Sequence, residues 1–255
     1  MKKIAVIGIG KMGMLHAGIL NRLPGVTLAA VCDSSKFLLN GAGSLKTELD
    51  VFTDYTKMLD TVKPDGVVIA TPVFLHKDMG LACAERDIPF LMEKPLTPNG
   101  KEGRVLVDMV EKKQLPTVMG YMLRYVETFM KTADLIRNDV IGTPITFSST
   151  VYVSQLFRRG KGWRYDPAKS GGGVIAAQAT HLIDLLHWYF GEVASVSGHT
   201  RSWYSQKVED FAHAHLTFSS GVTGWLDSTW SKRHHRLMQV TIDINGEHGS
   251  LLVTN

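Results

Sequence analysis

The sequence predicts an α/β doubly wound parallel sheet of the Rossmann type, followed by an α+β domain built on a predominantly antiparallel sheet. Two observations carry this. Up to about residue 120, short continuous apolar runs alternate with helical patterns, the signature of strands buried on both faces with crossover helices between them. After Gly142-Thr143-Pro144 the period changes, and closely spaced apolar segments are joined by turn residues instead. The expected domains are 1–120 and 121–255.

In the first part, Ile4-Ala5-Val6-Ile7 reads as a buried strand that runs into Gly8-Ile9-Gly10-Lys11-Met12-Gly13. A helix follows, with Met12, Leu15, Ile19, Leu20 and Leu23 at helical spacing. The next strand, Val26 to Val31, ends at Cys32-Asp33. A Gly-x-Gly-x-x-Gly alone is a weak signal. Here it follows a strand, opens a helix, and has an acid twenty positions beyond Gly13, which makes it a dinucleotide-binding fingerprint. Gly8 serves the tight turn, Gly10 the approach of the pyrophosphate, and Gly13 the packing of helix on strand. The amides of the helix start hold the anion. Asp33 accepts from the adenosine ribose hydroxyls and repels a 2′-phosphate, so NAD is favoured. Ser34, Ser35 and Lys36 follow directly and keep NADP open.

The alternation continues through strand 51–53, helix Tyr55 to Val62, strand Gly66 to Ala70 ending at Thr71-Pro72, and helix Val73 to Arg86. Strand Ile88 to Met92 ends at Glu93-Lys94-Pro95; helix Asn99 to Lys113 points Val105, Leu106, Met109 and Val110 inward; strand Pro116 to Met119 ends at Gly120-Tyr121. Ligands bind at the carboxyl ends of such strands, so these three strand ends mark one expected site.

In the second part, helix Thr128 to Asp139 sets Phe129, Met130, Ala133 and Ile136 on one face. Strands are expected at Ile145 to Val153, Ala194 to Thr200, Phe211 to Phe218, Val222 to Trp230 and Met238 to Ile244, backed by a helix from Gly173 to Phe190. Ser219-Ser220-Gly221 and Asn245-Gly246-Glu247 read as hairpin turns. The segment Leu156 to Lys169 is irregular.

Composition narrows the function classes. The 255 residues are 44% hydrophobic and 20% charged with a formal net charge of +4, a balance that points away from a nucleic-acid-binding surface. Cys32 and Cys83 lack metal or disulfide spacing and read as buried reduced thiols. The glycines interrupt the first apolar run too early for a signal peptide, and no apolar stretch reaches membrane-spanning length. A cytoplasmic protein is expected. No metal site is expected either: His181, Asp184 and His187 step around a helix so that the outer two lie about 120° apart, and His213 and His215 share one strand face without a third ligand.

These residues resemble the Gfo/Idh/MocA oxidoreductase family. The match runs through the glycine fingerprint, Thr71-Pro72 with His76, Glu93-Lys94-Pro95, Gly120-Tyr121 with Arg124-Tyr125, Ser170-Gly171-Gly172-Gly173, and His181-Leu182-Ile183-Asp184-Leu185-Leu186. The resemblance implies that Thr71, Pro72, His76, Glu93 and Lys94 contact the cofactor, with a cis Lys94–Pro95 bond. It implies that Lys94 polarises the reacting oxygen and His181 shuttles the alcohol proton. Arg124, Trp163 and Arg164 join Lys94 and His181 in binding a sugar, cyclitol or related polyol. Many relatives place an aspartate one turn before the histidine; this chain has Ala177 there, and Gln178 fits an alternative family pattern only in part. That departure keeps a non-catalytic NAD(P)-binding sensor or co-regulator in view; a reductase of a non-sugar imine or carbonyl, using the same cofactor on a different acceptor, is a further alternative. Relatives also continue beyond the point matching Leu251-Leu252-Val253, which implies a second domain shortened at its C-terminus. A homodimer or homotetramer through the outer face of the second sheet is expected by the same resemblance.

Overall fold

The computed structural model describes residues 1–42 and 49–255. The chain divides into two compact units, Met1–Gly120 and Tyr121–Asn255.

The first unit contains β1 (Lys2–Ile7), α1 (Lys11–Leu20), β2 (Val26–Cys32), α2 (Lys36–Ala42), β3 (Asp50–Phe52) and α3 (Tyr55–Val62). It continues with β4 (Gly66–Ile69), α4 (His76–Glu85), β5 (Phe90–Met92), α5 (Gly100–Lys113) and β6 (Thr117–Met119). The strands form one parallel sheet in the order β3-β2-β1-β4-β5-β6. This is the dinucleotide-binding order, with its reversal between β1 and β4. The core lies on both faces of the sheet. Ala5, Ile7, Ile69 and Met92 pack with α3, α4 and α5 on one side, while Val6, Val31 and Val68 pack with Ile9 and Ala17 on the other. Caps sharpen the helix starts: Asp54 accepts from the amides of Thr56 and Lys57, and Asn99 accepts from the amide of Glu102 while its side-chain amide donates to the Glu102 carboxylate.

Two helix faces differ from expectation. On α1 the buried residues are Gly13 and Ala17, whereas Leu15 and Ile19, and Leu23 just past the helix end, remain 53%, 50% and 45% exposed. Small residues bring this helix close to the sheet, and the larger ones are turned outward. On α5 Leu106 is buried but Val105 is 53% exposed.

The second unit contains α6 (Glu127–Arg137), β7 (Pro144–Tyr152), α7 (Pro167–Ser170) and α8 (Thr180–Phe190). Five strands follow: β8 (Val193–Arg201), β9 (Phe211–Phe218), β10 (Thr223–Thr229), β11 (Gln239–Gly246) and β12 (Ser250–Thr254). Its sheet runs β12-β11-β7-β10-β9-β8, antiparallel except for the β7–β10 pair. The predicted hairpin at Ser219-Ser220-Gly221 is present, closed by the amide of Phe218 on the carbonyl of Val222. The turn at Gly246 is also present and leads into β12, a strand the sequence pattern did not reveal. Helices α6 and α8 cover one face of the sheet. Leu182, Leu185 and Leu186 are fully buried there against Phe147, Val151, Leu226 and Ile242, each contributing roughly 1.5–3 kcal/mol. On α6 Phe129 and Ala133 are buried while Met130 stays 44% exposed, outside the expected apolar face. The expected continuous helix from Gly173 instead opens with a π-helical turn, Ile175–Ala179, before α8 begins.

Candidate functional site

The glycine loop of the first unit is built by sterics. Gly8 has φ +90°, and a Cβ on Gly13 would lie 1.7 Å from the carbonyl oxygen of Gly8. Gly13 is therefore fixed as glycine by the packing of α1 on the loop. A Cβ on Gly10 would meet nothing within 4 Å, so the backbone there faces open space. Asp33 ties the loop to the end of β2: its carboxylate accepts from the amides of Ile9 and Ser35, each at 2.8 Å. Each carboxylate oxygen retains a second acceptor position for a ribose hydroxyl. Open backbone at Gly10, a helix N-terminus at Lys11 and Met12, and an acid at the end of β2 fit a dinucleotide with an unphosphorylated 2′-hydroxyl. Ile9 itself is buried, 1% exposed, so only its backbone faces the loop. Ser34 is exposed immediately after Asp33.

The ends of β4 and β5 are joined by a histidine. His76, 1% exposed, places Nδ1 2.9 Å from the carbonyl of Pro95 and Nε2 3.0 Å from the carbonyl of Thr71. Both ring nitrogens thereby face backbone carbonyls, and the neutral ring, with its one N–H, donates to one of the two. This differs from the cofactor contact expected of His76: its side chain fastens the Thr71-Pro72 turn to the segment after Lys94. Burial pushes its pKa below the ordinary value, against the opposing pull of the carbonyls and of Glu93, so the neutral ring is favoured. The Lys94–Pro95 bond is cis, and Lys94 is half-buried.

Glu93 has a partner that sequence reasoning missed. His16 on α1 lies with Nε2 2.8 Å from Glu93 Oε1, both side chains largely buried. The local signal is an ionisable residue three positions beyond Gly13, in a helix otherwise apolar after Lys11. Gly120 closes the same corner, its amide donating to the carbonyl of Met92, and a Cβ there would lie 3.2 Å from the Glu93 carboxylate.

In the second unit the polar residues gather on α8 and the segment before α6. His181 is 4% exposed and meets the edge of the Tyr121 ring, centroids 6.1 Å apart at 90°. The hydroxyls of Tyr121 and Thr180 are 2.9 Å apart, and burial raises the Tyr121 pKa. Arg124 makes a bidentate pair with Asp184, Nε and Nη2 donating at 2.7 and 2.8 Å, and its guanidinium lies over Trp188. The hydrogen bond to Asp184 raises the arginine pKa further. Arg124, expected as a substrate ligand, thus has one edge of its fork committed to the helix that carries His181. Asp184 is occupied by this pair, and His187 by Glu192.

Ala177 lies in the π-helical turn and packs toward Leu156, Val174 and Trp230. Gln178 donates to Gln155 at 3.4 Å. The turn itself is anchored by Glu209, whose carboxylate accepts from the amides of Gly173 and Ile175, while its carbonyl accepts from Val174. No local sequence pattern points to this contact. Trp163 and Arg164 occupy one 3₁₀ turn, the guanidinium 4.6 Å above the indole. On the outer sheet face His213 pairs with Asp227, and His215 contacts Thr223 and Trp225. Cys32 and Cys83 are buried free thiols, and burial pushes both pKa values up to about 12.

Comparison with known proteins agrees with this geometry. Residues 2–121 match the family model described as an oxidoreductase family with an NAD-binding Rossmann fold, and residues 129–252 match the GFO/IDH/MocA C-terminal domain. D-apiose dehydrogenase of Paraburkholderia graminis is 25% identical over 252 residues, covering 98% of this chain and 66% of that protein. Inositol 2-dehydrogenase of Rubrobacter xylanophilus is 26% identical, covering 98% of this chain and 70% of the relative. The chain therefore spans about two thirds of the length of these curated relatives, just under that for the first. Among solved structures, the WlbA dehydrogenase of Chromobacterium violaceum in complex with NADH and UDP-GlcNAcA superposes with a TM-score of 0.89. It is 25% identical, and the match covers 100% of this chain and 74% of that one.

Proposed function

The chain belongs to the Gfo/Idh/MocA oxidoreductase family, its first unit the NAD-binding Rossmann domain, and we propose that it is an NAD-dependent dehydrogenase or reductase of a secondary alcohol or ketone on a sugar, cyclitol or related polyol. The observation that carries this reading is the gathering, at the carboxyl ends of β1, β2 and β5, of the Gly8–Gly13 loop with Asp33 and a Glu93-Lys94-Pro95 segment held by His16 and His76. The sugar and cyclitol dehydrogenases among its relatives support the substrate class.

Gly10 and the start of α1 would hold the pyrophosphate of a dinucleotide and Asp33 its ribose; the group would supply hydride chemistry to the site. The ammonium of Lys94 donates a charge-assisted hydrogen bond to the substrate oxygen, which gains negative character in the transition state. His181 takes the alcohol proton in oxidation and returns it in reduction. With Ala177 in place of a carboxylate, the imidazole is oriented by the Tyr121 ring and the buried wall of α8. A homodimer or homotetramer fits the outer sheet face, where Trp225 and Leu252 are 60% and 74% exposed. The buried thiols suit a reducing cytoplasm.

Initial rates of NAD reduction over a panel of sugars and inositols test the reading. Lys94→Ala is expected to lower kcat by about 10²–10³-fold with NAD affinity retained. The second reading, a non-catalytic NAD-binding sensor, is favoured by the apolar setting of Ala177. NAD binding without turnover of any polyol would establish it instead.

A further inference from the structure

Two basic loops of the second unit meet on the same side of its sheet. Residues 154–169 and 231–237 hold eight lysines and arginines against the single acid Asp166, and the other residues hold 20 cations against 23 carboxylates. The charge of the chain is thus concentrated here rather than spread. Backbone bonds join the two loops: Ser154 N donates to the carbonyl of His235, Lys232 N to that of Val153, and the amides of Gln155 and Leu156 to that of Trp230.

The cations lie on aromatic rings. Arg233 sits 4.9 Å over Phe157, Lys232 4.9 Å over Tyr152, and Arg164 4.6 Å over Trp163. Among the described residues none of these three, nor Arg158, Arg159 or Lys161, is in an ion pair. The neighbouring carboxylates are directed elsewhere. Glu209 caps the helix start, Asp210 is fully buried on Tyr204, Ser205 and the Trp230 indole, and Asp227 pairs with His213. A guanidinium stacked on a ring keeps its N–H edge for a planar oxyanion. The first loop is also fixed beside the helix of His181, through Gln155 on Gln178 and the packing of Leu156 and Tyr165 with Ala177.

We propose that these two loops form an anion-binding site for a phosphate or carboxylate on the sugar-type substrate, with Arg233 as its principal ligand. The proposal rests on the dehydrogenase reading and narrows its substrate class to acidic sugars. Such a substrate gains charge-assisted, bidentate contacts that a neutral polyol lacks.

The test compares matched sugars, their 6-phosphates and their uronates as substrates with NAD, alongside calorimetric titration of the same compounds. Wild type is expected to show a KM at least tenfold lower for one anionic series than for the neutral sugar, rising with salt; which series is preferred distinguishes phosphate from carboxylate. Arg233→Ala is expected to raise that KM about ten- to a hundredfold, the loss falling mainly in KM, while Lys112→Ala, an exposed lysine on α5, has no effect. Equal KM values for neutral and anionic sugars, insensitive to Arg233→Ala, would overturn the anion site and leave the dehydrogenase intact. Binding of a sugar phosphate or uronate that is lost in Arg233→Ala, with no NAD reduction by any sugar, would uphold the anion site and overturn the dehydrogenase. Tight binding of a single-stranded oligonucleotide, abolished by Arg233→Ala and unaccompanied by any preference for acidic sugars, would overturn the proposal in favour of a nucleic-acid surface.

Discussion

In the first unit, Lys94 follows a strand with parallel partners on both sides, and what surrounds it is fixed by backbone: the carbonyls of Thr71 and Pro95 on His76, and Gly8 against Gly13. In the second unit, His181 stands on a helix whose apolar face is buried, and its polar surroundings come from side chains: Tyr121, Thr180, and the Arg124–Asp184 pair over Trp188. The contrast teaches where each unit tolerates change. A backbone-built corner is set by glycines and by strand order. A side-chain-built one is reset by any substitution on the helix or its loops, which is where relatives acting on different substrates have room to diverge.

The largest effect that separates the two belongs to Gly13→Ala. Its Cβ would strike the Gly8 carbonyl, and neither backbone has room to withdraw. A loss of about 3 kcal/mol is expected, together with loss of NAD affinity, read by thermal denaturation with and without NAD. Retention of both would show that the corner yields as a side-chain cluster does. Asp184→Asn should come next. It leaves the Arg124 guanidinium without its carboxylate and is expected to cost about 2 kcal/mol in a thermal or urea transition, with NAD affinity preserved because the change lies in the second unit.

The smallest effect concerns pH. The folded-state pKa of His76 lies below its ordinary value of 6.5 because of burial, so below that pH the unfolded chain binds more protons than the folded one. Stability therefore falls as pH drops through about 6.5 toward the folded pKa, and is full above it. Melting curves across this range should have a shallower slope in His76→Gln than in the wild type. An unchanged slope would mean that the first corner is indifferent to the histidine's charge.

Much of this was readable beforehand, and the reasons differ by element. Continuous apolar runs identified β1, β2 and β4 because strands buried on both faces carry no polar alternation. Spacing fixed the glycine loop and Asp33, since each glycine answers a local steric demand. The helix faces of α1 and α5 were misjudged at Leu15, Ile19 and Val105. Periodicity locates an apolar stripe but does not say how near the helix approaches the sheet, and here Gly13 and Ala17 decide it. β12 was hidden in a segment too short to show alternation.

The sequence by itself determined that this is a nucleotide-binding Rossmann unit joined to a largely antiparallel one, because periodicity and glycine sterics act over a few residues. Only the tertiary structure decided that His16 meets Glu93, that His76 faces two carbonyls, that Arg124 is locked to Asp184, and that Glu209 caps the turn bearing Ala177. Apart from His76 on Thr71, five positions away, those contacts join residues 19 to 77 positions apart. Their partners are selected by how helices and loops pack, which no local pattern encodes.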